Sequence, residues 1–246
     1  MNIYNKRSLF RRRDESSVYR MFFVVIFILG GIWLIRSVQQ GDVKPLFLPT
    51  PTPTRFATSY TMEGDANFTA GQLNAAIEAY QEAATIDPSN ADVWAQLSRV
   101  QTYSTALIVQ REDLLKRLDE AIVSAEKAIE VNPDSSNAHA VYAFALDWKA
   151  SYTSDNRERQ TLLQDAEQHA TRAILLDNTN VLAQAFYAEI LVDQQKWTQA
   201  QQFIDQALAA DPTLMDVHRV HAYVLESLGE YALAIEAYDK AIAIAP

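Results

Sequence analysis

Residues 71–88 read GQLNAAIEAYQEAATIDP, and residues 229–246 read GEYALAIEAYDKAIAIAP. Both carry one ladder: Ala76, Tyr80, Ala83 and Pro88 in the first, Ala234, Tyr238, Ala241 and Pro246 in the second. Steps of four and three residues place such positions on one face of a helix. Alanine there lets a neighbouring helix approach closely, the larger residue fills the space between units, and proline cannot continue the helix. The ladder recurs at Ala121, Ala125, Ala128 and Pro133, at Ala166, Ala170, Ala173 and Asn178, and at Ala200, Ile204, Ala207 and Pro212. Successive terminators lie 45, 45, 34 and 34 residues apart.

Before each ladder stands another helical segment with a small residue on its packing face: Gly64, Ser98, Ala143, Ala188 and Ala222. Large side chains surround these positions, among them Tyr60, Trp94, Tyr142, Tyr187 and Leu225. Gly64, Ala188 and Ala222 precede their terminators by 24 residues, Ser98 and Ala143 by 35. Two insertions of 11 residues each, about three helical turns, predict longer helix pairs in register rather than a loop.

This pattern over about residues 57–246 resembles the tetratricopeptide repeat family, with its 34-residue period and small…A-x3-F…P skeleton. The fit is close in the first, fourth and fifth repeats, where Gly71 and Gly229 sit at the family's usual inter-helix turn. It departs in the two 45-residue repeats and at Asn178. The implied fold is all-α: a right-handed α-solenoid of five helix pairs, two of them extended, at about 57–90, 91–135, 136–180, 181–214 and 215–246. The resemblance also implies a concave groove lined by the first helix of each pair, where partner peptides bind. Carried over by repeat position, the groove candidates are Asp65 and Phe68 in the first repeat, Arg99 and Tyr103 in the second, and Phe144, Asp147 and Trp148 in the third. The fourth contributes Glu189 and Asp193, the fifth Arg219, Tyr223 and Glu226. Asp65 stands where chaperone-binding members carry a clamp asparagine, so the C-termini of heat-shock chaperones are not the expected ligand. An acidic and aromatic groove suits a basic or amphipathic protein segment instead, although packing beneath the longer helices is an alternative use for Tyr103, Phe144 and Trp148.

The front of the chain is of another kind. Met21 to Ile35, MFFVVIFILGGIWLI, is uncharged between Arg20 and Arg36. At about 1.5 Å per residue it spans roughly 22 Å, short of a hydrocarbon core of about 30 Å. Val18, Tyr19 and Val38 extend it, and the arginines can snorkel. A transmembrane signal-anchor helix is expected over 21–38, following a basic segment 1–20 and preceding a Pro/Thr-rich linker 39–56, whose alternation of Pro and Thr favours polyproline II. The residues after the apolar run, Arg36-Ser37-Val38-Gln39-Gln40, lack a small-residue cleavage site. Six Lys/Arg precede the run and three come after it, so the N-terminus is expected in the cytoplasm and the repeats outside, at the cell membrane.

Residues 1–56 carry a net charge of +6 and the remainder -16. So acidic a domain excludes a nucleic-acid partner, since phosphates need cations opposite them. The chain has no cysteine, which excludes disulfides and thiolate metal sites. His218 and His221 stand three apart near Asp216, but no third ligand at useful spacing accompanies them, and no metal or cofactor is expected. No nucleophile elbow, zinc-protease motif, dinucleotide fingerprint or P-loop occurs, so an enzyme is not expected. The expected function is a membrane-anchored scaffold or adaptor for protein or peptide partners. An accessory subunit of an envelope secretion or assembly machine is the alternative. The last helix should expose Ile235, Tyr238 and Ile242 where a sixth repeat would sit. That is the mark of a chain cut between repeats or of self-association through the C-terminal repeat.

Overall fold

A computed structural model describes residues 17–40 and 55–245. The basic segment 1–16, most of the Pro/Thr linker and Pro246 lie outside the described residues. The chain divides into two compact units, residues 1–53 and 54–246.

In the first unit, α1 (Val18–Gln39) is 22 residues long, about 33 Å at 1.5 Å per residue. It exceeds the uncharged run because Arg20 and Arg36 stay within the helix. The consecutive residues Phe22, Phe23, Val24 and Val25, about 100° apart, are all exposed, so its whole circumference is apolar and open. The helix is long and apolar enough to cross a membrane.

The second unit is five helix pairs. They are α2 (Ala57–Thr69) with α3 (Leu73–Ile86), α4 (Ala91–Ser104) with α5 (Arg111–Val131), and α6 (Ser136–Tyr152) with α7 (Asn156–Leu176). Then come α8 (Val181–Asp193) with α9 (Trp197–Ala210), and α10 (Met215–Ser227) with α11 (Tyr231–Ile244). The short repeats pair helices of 13 and 14 residues. In the third repeat these become 17 and 21 residues. In the second, α4 is 14 residues and continues as a three-residue 3-10 turn, Thr105–Leu107, before the 21-residue α5. Connections are three residues within a pair and four between pairs throughout. In the third repeat the 11-residue insertion is four residues added to the first helix and seven to the second; in the second repeat the four are one more residue in α4 and the three of the 3-10 turn.

The connections share a construction. Within the three short pairs the middle residue is left-handed, at Gly71 (φ 71°), Gly229 (φ 82°) and Gln195 (φ 61°). Two glycines meet that demand without strain, and a glutamine bears it in the fourth repeat. Between pairs, Asp87, Asn132, Asp177 and Asp211 each accept the backbone N–H two residues on, at 2.8–3.2 Å. The next carbonyl, of Pro88, Pro133, Asn178 or Pro212, accepts from the side chain six residues later. The donors are Trp94 Nε1 (3.0 Å), His139 Nε2 (3.0 Å), Gln184 Nε2 (2.7 Å) and His218 Nε2 (2.8 Å). Asp177 (φ -152°, ψ 102°) matches Asp211 (φ -146°, ψ 96°), the extended geometry a following proline demands. Asn178 thus replaces proline without changing the turn.

All the ladder alanines are buried, as are Ser98, Ala143, Ala188 and Ala222. Gly64 is where close approach matters most: a Cβ there would stand 2.8 Å from the Tyr80 ring, itself fully buried. The first helices α4, α6, α8 and α10 pack against one another in succession, whereas each second helix packs chiefly on the first helices flanking it. That asymmetry curves the stack with the first helices inside. On α11, Ile235 and Ile242 are exposed as expected. Tyr238 is not: it is half-buried and donates to Glu226 Oε2 at 3.0 Å.

Candidate functional site: the inner face of the solenoid

Steps of three and four along α10 put Asp216, Arg219, Tyr223 and Glu226 on one side, and the curvature turns that side toward α4. Arg99 on α4 donates from Nε to Asp216 Oδ1 at 2.9 Å and from Nη2 to Oδ2. The Tyr103 hydroxyl donates to the same Oδ1 at 2.7 Å. These contacts span more than 110 residues of sequence. Arg219 donates to the Tyr103 hydroxyl at 3.1 Å and in a fork to Glu189, at 2.7 and 2.5 Å. The Trp148 indole donates to Glu189 Oε1 at 3.1 Å.

Between the charges lies an aromatic stack. Tyr103 sits 5.9 Å from Phe68 and 5.1 Å from Phe144, ring centre to ring centre, and Phe144 lies face to face with Phe186 at 4.2 Å. Trp148 meets Phe144 edge-on at 5.3 Å. Arg99 rests over Phe68 at 4.7 Å, and Arg219 over Tyr103 and Phe144 at 5.3 and 5.4 Å. Cations over ring faces gain from the ring quadrupole, more so when desolvated.

The electrostatics divide the inner face in two. Burial pushes the Asp216 carboxyl up, but Arg99, with the hydrogen bonds from Arg99 and Tyr103, holds it below the usual carboxylate range. Burial lowers and Glu189 raises the affinity of Arg219 for its proton, and Glu189 prevails. Asp147 is the opposite case. It is 1% exposed, and burial, then Asp193 and Glu189, push its carboxyl well above the ordinary value. Its Oδ1 is enclosed without a hydrogen-bond partner. Burial also raises Asp193, although Tyr223 and Ser151 donate to it at 2.5 and 3.3 Å.

The candidate residues therefore fall into three groups. Arg99, Tyr103, Phe144, Glu189 and Arg219 join Asp216 in a packed network, with Phe68 at its edge. Asp147, Trp148, Asp193 and Tyr223 line a recess of about 210 Å³ beside it, together with Ser151, Tyr152 and Tyr238. Asp65 and Glu226 are engaged separately, by Tyr80 at 2.5 Å and by Tyr238. Sequence reasoning missed Asp216 as a groove residue, weighing it beside the histidines; its spacing of three from Arg219 was the available signal. His218 is used as the carbonyl cap of Pro212, while Asp216 is taken up by Arg99 and Tyr103.

Residues 61–185, just over half of the chain, match the family model described as regulator of microtubule dynamics protein 1-3, and residues 188–246 match a tetratricopeptide repeat model. The human mitochondrial import receptor subunit TOM70 is 28% identical over 167 residues, 67% of this chain. The chain spans about a quarter of that protein's length. A thermophilic tetratricopeptide protein of Thermus thermophilus superposes with a TM-score of 0.61 at 17% identity, over 77% of this chain and 92% of its own. The likeness to that solved structure is one of fold. With an all-helical repeat stack, its ladder alanines buried and its joints alike, the chain belongs to the regulator of microtubule dynamics protein 1-3 family and is built of tetratricopeptide repeats.

Proposed function

We propose that the protein is a membrane-anchored docking scaffold, with α1 as a single-pass anchor and the inner face of the solenoid as the surface that receives a basic or amphipathic segment of a partner protein. The observation that carries this is the acidic, aromatic recess at Trp148 and Tyr223, which opens on the inner face beside the packed Arg99–Asp216 network. The repeat family is an interaction scaffold, and the human relative is named as a receptor subunit; both agree with docking. Cross-linking of the full-length chain in intact cells identifies partners. Purified partner then binds the Trp148→Ala, Tyr223→Ala double variant roughly 30-fold more weakly, the loss expected when an aromatic anchor worth about 2 kcal/mol is removed. Raising salt weakens wild-type binding. Glu82→Ala, on the outer surface, changes affinity less than about threefold. Equal losses at both places would remove the inner face as the docking surface.

The excess of Lys/Arg before α1 favours an N-terminus in the cytoplasm and repeats across the membrane. Protease added outside intact, wall-stripped cells then digests the repeats. Protection until the membrane is opened would reverse the orientation.

A further inference from the structure

We infer that the recess between α6, α8 and α10 is a socket for one protonated lysine or arginine side chain of the partner, with Asp147 and Asp193 as its counter-ions and Trp148, Tyr152 and Tyr223 as its walls. The inference rests on the docking reading and names what that surface recognises.

Three observations converge. The first is the orphaned acceptor: Asp147 lines the recess, is almost wholly buried, and leaves Oδ1 with no donor. A buried polar atom without a partner is costly to the fold, so an arriving N–H group would find an acceptor already stripped of water. The second is the local charge. Asp147 from α6 and Glu189 and Asp193 from α8 face a single guanidinium, Arg219 from α10. Glu189 is fully taken up by the fork to Arg219 and by Trp148. Among the described residues, Asp147 and Asp193 therefore form no ion pair, and Arg219 is spent on Glu189. The third is shape. The recess of about 210 Å³ is walled by Trp148, Tyr152, Tyr223 and Tyr238, and ring faces favour an organic cation. A positive group entering the recess offsets the cost that burial and the neighbouring carboxylates place on the ionised Asp147. The charged groups around Asp147 are Glu189 and Asp193 on α8 and Arg219 on α10, with Tyr223 and Tyr238 as the further ionisable neighbours.

The test uses the full-length chain in detergent. The probes are the acetylated, amidated tripeptides Gly-Lys-Gly and Gly-Arg-Gly, the same peptide with neutral norleucine, and putrescine as a free diamine. The readout is the Trp148 indole N–H resonance, assigned with Trp148→Phe. The lysine or arginine peptide is expected to shift it saturably, and norleucine to leave it unmoved. Asp147→Asn and Asp193→Asn, which keep shape and remove charge, should each weaken binding roughly tenfold. Norleucine binding as well as lysine, or both variants binding like wild type, would overturn the socket. Putrescine binding tenfold more tightly than either peptide would overturn its assignment to a partner's side chain. If partner capture is lost in the Trp148→Ala, Tyr223→Ala variant while Asp147→Asn and Asp193→Asn bind the peptides as wild type does, the socket fails and docking stands. If partner capture survives all four substitutions, docking fails with it.

Discussion

Replacing Asp216 by alanine lowers the free energy of unfolding by about 3–5 kcal/mol, the range for removing one partner of a buried ion pair. The side chain is fully buried and is the point where Arg99 and Tyr103 of the second repeat meet the fifth. Without it the Arg99 guanidinium stays in the interior with no counter-ion, and the Tyr103 hydroxyl loses its acceptor. Because Asp216 holds its carboxyl below the usual range, its contribution is in place at neutral pH and is lost as pH falls below about 4. Urea unfolding followed by circular dichroism measures the loss. Hydrogen exchange should show α10 and α11 opening first, since they lose the tie to α4. The paired replacement Arg99→Met with Asp216→Leu should recover most of the stability, because two apolar side chains leave no buried charge without its partner. A loss below about 1 kcal/mol in Asp216→Ala would mean that the two repeats are held together by something other than this pair.

Phe144→Ala is expected to cost about 3–5 kcal/mol. Phe144 is 1% exposed and touches Tyr103, Trp148 and Phe186, so its removal leaves a cavity at the centre of the inner face. Leu175→Ala, at a side chain 75% exposed, should change stability by no more than about 0.5 kcal/mol. If the two variants unfold at the same urea concentration, the inner-face stack is not what holds the third repeat in place.

Much of this arrangement can be read from residue order. The ladder of Ala76, Tyr80 and Ala83 and its repeats fixes which face of each second helix is buried, because the period is local and survives any global curvature. The equal offsets of Ser98 and Ala143 from their terminators foretell longer helices. The residues six after each terminator, Trp94, His139, Gln184 and His218, are all side chains that can donate an N–H, and that regularity was open to inspection. Other features could not be read this way. That Arg99 would meet Asp216 depends on a small rotation at each joint accumulated over three repeats, and no local pattern encodes that sum. A reading by repeat position therefore lays the groove residues along an open channel, where the folded chain brings those of the second and fifth repeats into contact. Tyr238 escaped for a related reason: its ladder position points to a following repeat, but Glu226 on the preceding helix draws its hydroxyl back.

The 11-residue insertions have a further consequence. The joints between pairs are alike whether the repeats are short or long, so the stack behaves as a folding rule with identical hinges and slats of unequal length. Lengthening a slat does not alter the bend at its hinge; it makes the blade overhang. In α6 the overhang is its last four residues, Lys149 to Tyr152, about 6 Å beyond where a short first helix would stop. Two of those residues, Ser151 and Tyr152, form the rim of the recess. One extra turn has thus given the third repeat a ledge that the shorter repeats lack. Trimming that turn would leave the curvature of the stack intact while opening the side of the recess to water.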